Sequence, residues 1–215
     1  ANYVSQVMQE RGIPHHILSW QGDKPSSNLQ AEARRARYGL MGAWCRENDV
    51  SYLLTAHHRD DQAETLLLRL ARGSGVYGLA AMAPVSPVPG TDGVTLLRPL
   101  LGVPKASLVQ CLAEKGIEWV EDPSNNNRDF DRVRVRALLE SPPLKGYTAA
   151  RLADTARRLR RSRDALEFYE RRWLVEAVRE DEHGYLSIEA SALSVGPEDI
   201  VLRGLARVCK LVGGA

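Results

Sequence analysis

The chain is organised around residues 55–82, which read TAHHRDDQAETLLLRLARGSGVYGLAAM. This stretch holds two adjacent histidines, two adjacent aspartates, a glutamate and a glycine-rich turn. Its polar residues lie next to an apolar run and a leucine-rich helical pattern. Folding alone does not require so many polar groups at such a place. We therefore interpret the segment as part of an active site.

The pattern around this segment predicts an α/β fold with an open, mostly parallel sheet. Residues 50–56 form a continuous apolar run bounded by polar residues, which is typical of a buried parallel strand. Ligands in such sheets bind at the carboxyl ends of the strands, which is where the His–Asp cluster begins. The other predicted elements are helices at 3–11, 29–47, 60–72 (apolar positions Leu66, Leu67 and Leu70) and 103–115, strands at 15–20 and 94–97, and a proline-rich loop at 84–93.

The carboxyl-terminal part of the chain has a different composition. A long helix is predicted at about 148–178, followed by a short extended piece at 184–188 and a helix at 199–211. The long helix has a strongly positive face and an apolar face. Apolar residues repeat every seven positions at Leu152, Leu159, Leu166 and Trp173. We predict two domains, residues 1–143 and a small α-helical domain at 144–215.

Three side chains carry the chemistry of the central segment: His57, Asp61 and Glu64. If the helix reaches back to His57, they lie at i, i+4 and i+7 on one face; otherwise the two carboxylates still lie together at i, i+3. Such a group can bind a divalent metal, accept a proton, or do both. Mg²⁺, held by Asp61 and Glu64, is the simplest metal prediction. The alternative is a surface helix cap with scattered acids.

The glycines that follow match GxGxxG at Gly73, Gly75 and Gly78. A dinucleotide-binding fingerprint follows a strand and opens a helix, whereas this one follows a helix, so we reject that interpretation. The glycines instead predict a tight turn or a close approach of the backbone to a ligand. Arg72 beside them is a candidate partner for phosphate.

A second polar stretch covers residues 122–136, DPSNNNRDFDRVRVR. It begins as a turn and continues into a basic helix in which Arg132, Arg134 and Arg136 alternate with valines. Arginine forks suit phosphate and carboxylate groups. A polar loop that runs into a solvated helix explains the same residues.

Composition excludes several classes of protein. The net charge is +2, and the three cysteines are isolated, which argues against a disulfide scaffold and against cysteine-ligated zinc or iron–sulfur sites. Free thiols suit a reducing cytoplasm, where we expect the protein. No run approaches the about 18 apolar residues of a membrane span, and no signal peptide is recognisable.

Four ordered motifs resemble those of the bacterial tRNA(Ile)-lysidine synthases. The motifs are NLQAEARRARY, HHRDDQAETLLLRLARGSGVYGLAAM, RPLLGVPKASL and WVEDPSNNNRDFDRVRVR. The resemblance covers about residues 1–140 well and the helical tail loosely. It implies a PP-loop ATPase domain that acts on the wobble cytidine of the isoleucine tRNA with a CAU anticodon. ATP adenylates the C2 oxygen of that cytidine, and free lysine then displaces AMP to give lysidine.

The resemblance also implies roles for individual residues. His57, Asp61 and Glu64 match the catalytic motif of the family, and Arg132 matches an arginine implicated in the reaction. The implied cofactors are ATP and Mg²⁺, and a homodimer is compatible with the sequence. Arg72, Gly73, Gly75 and Gly78 are candidates for contact with the nucleotide, and Arg157, Arg158 and Arg161 for contact with RNA.

The chain departs from the family pattern in three places. The SGGxDS phosphate-binding loop is absent, so we expect the chain to begin downstream of that loop and to be inactive by itself. Val133 stands where the family often has Asn. For the carboxyl-terminal tRNA-binding domain of the longer members, we expect either that it is missing from this chain or that the chain has a shorter architecture.

Three alternatives remain open at this stage. A 2-thiocytidine synthase has a similar HHxxDDxxET stretch, but it needs a CxxC that this chain lacks. The chain could instead be a non-catalytic RNA-binding remnant that has lost its ATP site. A metal hydrolase would show metal-dependent turnover without ATP.

Overall fold

A computed structural model describes residues 2–22, 29–120 and 131–213. The chain divides into two compact units. The first contains Ala1–His58 and Ala83–Val103, and the second contains Arg59–Met82 and Pro104–Ala215. The boundaries between these units differ from the predicted domain boundary at 143–144. The two predicted domains therefore stay a prediction.

The first unit has helices on a small mixed sheet. Its elements are α1 (Asn2–Glu10), α2 (Leu29–Glu47), β1 (Tyr52–Leu54), β2 (Val85–Val88) and β3 (Thr91–Leu97). The strand order is β1-β3-β2, with β1 parallel to β3 and β2 antiparallel to it. Helix α2 and strand β3 have the predicted kind of structure, and the α/β class is confirmed.

The core of the first unit forms where α2 packs on this sheet. Its buried members are Tyr38, Cys45, Val88, Val94 and Leu96. Leu96 is fully buried and Cys45 is 2% exposed, and burial raises the pKa of the Cys45 thiol. The parallel pairing of β1 with β3 brings Leu53 against the same cluster.

One predicted strand and one predicted loop are wrong. Residues 15–20 have no strand pairing within the described chain; instead the His16 ring lies 4.9 Å from that of Trp44 in α2. Alternation of side chains does not make a strand without a hydrogen-bonded neighbour. The predicted loop at 84–93 contains β2, which tolerates Pro87 because the register of its pairing with β3 shifts at that residue.

The apolar run at 50–56 is shorter as a strand, and less buried, than predicted. β1 covers only Tyr52–Leu54, and Tyr52 and Leu54 are each 61% exposed. Successive side chains of a strand point to opposite faces of the sheet. Within the first unit α2 covers the face that carries Leu53, so the two flanking side chains lie on the open face.

The second unit is mostly helical. Its elements are α3 (Arg59–Leu70), α4 (Val76–Leu79), α5 (Lys105–Glu114), α6 (Asp131–Glu140), α7 (Ala149–Ala177), β4 (Val178–Glu180), β5 (Leu186–Ile188), α8 (Ala192–Val195) and α9 (Glu198–Gly213). Strands β4 and β5 form an antiparallel hairpin. Leu66 and Leu67 of α3 are buried as predicted, but Leu70, the last residue of α3, is 55% exposed.

Helix α7 follows its sequence signals closely. Thr148 is the N-cap, and its side chain accepts a hydrogen bond from the backbone N–H of Arg151 at 3.3 Å. The predicted apolar face is half-buried to buried, and it ends at Trp173, which forms a core with Ala177, Ile200 and Val201. Within the described residues, no helix is long and apolar enough to cross a membrane.

The contact between α7 and α9 depends on a glycine. A Cβ at Gly204 would lie 2.2 Å from Cε3 of the Trp173 ring. We expect Gly204→Ala to lower the free energy of unfolding by about 1–3 kcal/mol, because the packed ring must shift. Chemical denaturation monitored by tryptophan fluorescence measures this loss. Gly213→Ala, in the same helix with nothing within 4 Å of its added Cβ, is the control and should cost far less. Equal stabilities of the two variants would contradict the packing described.

Candidate functional site

Helix α3 begins at Arg59, so His57 lies before it and not on its face. The conditional arrangement of three side chains along one helix therefore does not occur. Asp61 and Glu64 share a helical face at i, i+3. His57 belongs to the first unit, where its Nδ1 lies 2.9 Å from the Thr55 hydroxyl oxygen. This contact orients the imidazole ring.

Asp60 has a structural role in the second unit. Its Oδ2 accepts a hydrogen bond of 2.8 Å from the backbone N–H of Lys105, the first residue of α5. The first N–H groups of a helix have no partner within the helix, and a carboxylate there satisfies one of them and favours the helix dipole. Asp60 therefore caps α5 from outside that helix.

Gln62 is a structural residue that the sequence analysis missed. It is 5% exposed. Its Nε2 donates to the Met82 carbonyl at 2.8 Å, and its Oε1 accepts from the Met82 N–H at 2.9 Å. The amide thus satisfies both backbone groups of one residue, twenty positions away. In the sequence, the only indication of this role was that Gln62 is the uncharged member of a charged first turn and stands next to Ala63.

Glu64 is the centre of the charged cluster, and its side chain is only 3% exposed. Arg136 Nε lies 2.6 Å from Oε1, and Arg136 Nη2 lies 3.5 Å from Oε2. Arg132 Nε also lies 3.5 Å from Oε2. A buried carboxylate is stable only when it is paired and hydrogen-bonded. Two arginines of α6 meet this requirement.

The helical form of α6 separates the three alternating arginines. Arg132 and Arg136 are at i, i+4 and both reach Glu64. Arg134 is on another face, where it pairs with the exposed Asp131 in the same helix. The alternation in the sequence therefore does not form one phosphate-binding row. Residues 122–127 of the predicted polar turn lie outside the described residues.

The electrostatics of the cluster favour a permanently charged Arg136. Its hydrogen bond to Glu64 is the main cause that raises the pKa of this guanidinium, and the charges of Glu64 and Asp61 act in the same direction against desolvation. Asp61 is half-buried and lies one helical turn before Glu64. The cluster therefore combines two carboxylates with two arginines.

This arrangement does not suit Glu64 as a metal ligand, because both of its oxygens contact arginines. Across residues 2–22, 29–120 and 131–213, no three His, Cys, Asp or Glu side chains gather at a point where they could hold a metal ion. Of the two predicted ligands, Asp61 is the more exposed. A Mg²⁺ site stays a prediction.

The glycine-rich turn ends α3 and begins α4. Gly73 has φ +69°, and the N–H groups of Gly73 and Ser74 donate to the carbonyls of Leu70 and Arg69 at 3.0 and 3.1 Å. A left-handed residue of this kind commonly closes a helix. Gly75 is the N-cap of α4, and a Cβ at Gly78 would meet the Ser74 side chain at 2.6 Å. Tight turning thus accounts for this stretch, and nucleotide contact by Arg72 and the three glycines stays a prediction.

Tyr77 in α4 belongs to a second, partly buried polar network that the sequence analysis missed. Its hydroxyl donates to Glu170 Oε2 at 3.4 Å, and the Arg203 guanidinium lies 3.7 Å from the centre of its ring. Arg207 also reaches Glu170, at 3.5 Å. Burial is the main cause that raises the pKa of Tyr77, and Glu170 adds to it while Arg203 opposes it. The phenol therefore remains a neutral donor that joins α4 to α7.

The predicted RNA-contacting arginines lie on the exposed side of α7. Arg158 and Arg161 are exposed and share a face at i, i+3. Arg157 is also exposed, but it pairs with Asp154 at 2.9 Å. A solvated pair of this kind is weak, so it does not withhold Arg157 from an anionic partner.

Comparison with known proteins identifies the family. The sequence profile of the PP-loop domain matches residues 1–141. The chain belongs to the PP-loop family. The matched part contains α1 to α6 and thus His57, Asp61, Glu64 and Arg132, whereas α7 to α9 follow it. The PP-loop family binds ATP, which makes ATP the nucleotide that the site is expected to meet.

Relatives in this PP-loop family are named tRNA(Ile)-lysidine synthase. The chain is 44% identical to that of Bradyrhizobium diazoefficiens over 99% of the chain and 60% of the relative. It is 42% identical to that of Ruegeria pomeroyi over 100% of the chain and 50% of the relative. The chain thus spans about half of the length of these relatives. A solved structure, the U34-tRNA thiolase NcsA of Methanococcus maripaludis with its [4Fe-4S] cluster, shares the fold with a TM-score of 0.54 and 16% identity, over 74% of this chain and 55% of that one.

The pairing of Glu64 with Arg136 predicts a measurable coupling. In a double-mutant cycle of Glu64→Gln and Arg136→Met, we expect a coupling free energy of about 1–3 kcal/mol in the free energy of unfolding. Either single substitution already breaks the charged hydrogen bond, so the double variant destabilises the protein by less than the sum of the two. Chemical denaturation of the four proteins measures it.

The matched control is the cycle of Asp131→Asn and Arg134→Met on the same helix. That pair is exposed on both sides, so its coupling should stay below about 0.5 kcal/mol. A coupling between Glu64 and Arg136 that is no larger than this control would contradict the buried pair.

Proposed function

We propose that the chain provides the PP-loop part of an enzyme that joins lysine to C2 of the wobble cytidine of tRNA(Ile) with a CAU anticodon, at the expense of ATP. The observation that carries the proposal is the identity of 42–44% to proteins named tRNA(Ile)-lysidine synthase, which extends over nearly all of this chain. The charged cluster on α3 and α6 supports it, because the reaction handles phosphates, a cationic amino acid and a proton.

The reaction has two steps that balance in atoms and charge. The C2 oxygen of cytidine attacks the α-phosphorus of ATP, and pyrophosphate leaves. An amino group of free lysine then attacks C2, the bond between C2 and oxygen breaks, and AMP leaves with that oxygen. The attacking amine must lose a proton, so the site needs an acceptor. The product is lysidine, AMP and pyrophosphate.

The residues divide between charge neutralisation and proton transfer. We assign the proton of the amine to Asp61, with His57 as the second candidate, because both belong to the matched motif and both are more exposed than Glu64, whose side chain is 3% exposed. Arg132 is 43% exposed, and its guanidinium is assigned to the anionic phosphate. Mg²⁺ would supply further neutralisation of the phosphates. If Asp61 holds the ion, the proton of the amine goes to His57, because a neighbouring cation lowers the basicity of a carboxylate.

The RNA partner is assigned to the exposed face of α7. This helix has eight arginines and five acidic residues, so its net charge is +3. Arg157, Arg158 and Arg161 lie where a phosphate backbone could follow the helix. Contacts of this kind are electrostatic, and their strength falls as the salt concentration rises.

The role of Asp61 is tested by labelled lysine incorporation into a transcript of tRNA(Ile), with the native full-length gene product and with ATP. We expect Asp61→Ala to lower the rate by about 10²–10⁴-fold, which is the usual contribution of a general base. Asp60→Ala is the matched control: it removes the neighbouring carboxylate, which caps α5, and should retain most of the activity. Normal incorporation by Asp61→Ala would refute the assignment. Incorporation without ATP, or none by the wild-type protein, would refute the proposed function itself.

The RNA face is tested by the salt dependence of tRNA binding. We expect Arg158→Gln together with Arg161→Gln to lower the slope of log K against log salt by about 1.5, because two phosphate contacts are lost. Fluorescence anisotropy with a labelled transcript measures the slope. The double variant Arg11→Gln and Arg46→Gln removes the same charge from exposed positions of α2 and of the turn after α1, and should leave the slope unchanged. Equal slopes for the two double variants would contradict an RNA contact at α7.

A further inference from the structure

We infer that Arg136 is a positioning residue of this site, which acts by holding Glu64 so that Arg132 can face the anionic reactant. The inference rests on the proposed function and adds a residue to it. Arg136 does not need to touch ATP, lysine or RNA in this role. Its effect on Arg132 passes through the carboxylate of Glu64.

The two arginines share Glu64 unequally. Arg136 makes the short contact, 2.6 Å from Nε to Oε1, and a second contact of 3.5 Å from Nη2 to Oε2. Arg132 contributes only a contact of 3.5 Å from its Nε. The Arg132 side chain is also the more exposed of the two, at 43% against 32%. Arg136 therefore supplies most of the neutralisation, and Arg132 keeps an exposed guanidinium beside the cluster.

This division has a physical consequence. Glu64 is 3% exposed and cannot be left as an isolated charge. Without Arg136, the nearest described cation is Arg132, and a guanidinium can contact both oxygens of a carboxylate at once. Attraction would then draw Arg132 inward onto Glu64. The retracted side chain would no longer reach a phosphate at the surface of the cluster.

Helix geometry makes Arg136 the appropriate partner. One helical turn separates Arg132 from Arg136, so a single face of α6 presents both to Glu64 of α3. Arg134 lies between them in sequence but pairs with Asp131 at the surface. It thus has the same side chain on the same helix without the buried contact, which makes it a matched control.

The accessibility of Arg132 tests the inference without any reference to catalysis. We measure the rate at which phenylglyoxal modifies Arg132, by mass spectrometry on this chain. We expect Arg136→Met to slow the modification of Arg132 severalfold, and Glu64→Gln with Arg136→Met to restore the wild-type rate, because the attracting charge is then gone. Arg134→Met should have no effect. If Arg136→Met alone fails to fold, Arg136→Lys takes its place. A lysine keeps the positive charge but cannot contact both oxygens of Glu64 as a guanidinium does, so it should slow the modification of Arg132 as well, and a wild-type rate in that variant would overturn the inference. Equal rates for Arg132 in the wild type, Arg136→Met and the combined variant would overturn the inference.

Enzyme kinetics of the native full-length gene product provide a second test of the role of Arg136. We expect Arg136→Met to lower kcat for lysine incorporation by about 10²-fold, which is typical of a misplaced catalytic group, with KM for lysine and ATP nearly unchanged. The variant with both Arg132→Met and Arg136→Met should be no slower than Arg132→Met alone, since the two residues act in series.

The inference would be overturned if the reductions in kcat of the two single variants multiplied in the double variant. A wild-type kcat for Arg136→Met or for Arg132→Met would overturn it as well, and in either case the proposed function would still stand. A wild-type protein that incorporates no lysine would refute the proposed function. The modification rates of Arg132 would then still decide whether Arg136 positions it.

Discussion

The second unit depends on the burial of one carboxylate. Glu64 is 3% exposed, and its negative charge must be compensated inside the protein, since an unpaired buried charge costs several kcal/mol. The compensation comes from α6, whose arginines lie 68 and 72 residues further along the chain. This requirement joins the helix of the His–Asp motif to the helix of the RVRVR motif. Helices α3 and α6 are therefore a single electrostatic unit, and neither is complete by itself.

The polar residues of the opening segment have distinct physical duties. Asp60 caps α5, Gln62 satisfies the backbone of Met82, and Glu64 pairs with the arginines. Through each of these three contacts a polar side chain of α3 binds another part of the second unit and holds the helix in place. Asp61 lies one helical turn before Glu64, and its charge acts on Arg136; it is the carboxylate of this turn that we propose for chemistry on a bound reactant. Most of the polar residues that indicate an active site in the sequence thus have structural roles around the candidate site.

Local signals predicted the helices well, and long-range pairing was the main source of error. Helix α2 has the predicted bounds, and α7 differs by one residue at each end, because caps and apolar periodicity are properties of neighbouring residues. The strand β2 and the exposure of Tyr52 and Leu54 depend on which partners cover a strand, which the pattern of one segment does not contain. The family motifs predict roles for His57, Asp61, Glu64 and Arg132, and those roles stay predictions. The contact of Arg136 with Glu64 could not be predicted from one segment, because it requires knowledge that α6 lies against α3.

The central claim is that Glu64 holds Arg136 within the protein, and the Nε–Hε resonances of the arginines report it most directly. In a ¹H–¹⁵N spectrum, with Arg136→Lys used for assignment, the Hε signal of Arg136 should lie downfield of that of Arg134 and exchange slowly with water. In Glu64→Gln it should move to the position of a solvated arginine and exchange rapidly. An Arg136 signal that has the shift of a solvated arginine in the wild-type protein, and that Glu64→Gln leaves unchanged, would contradict the account.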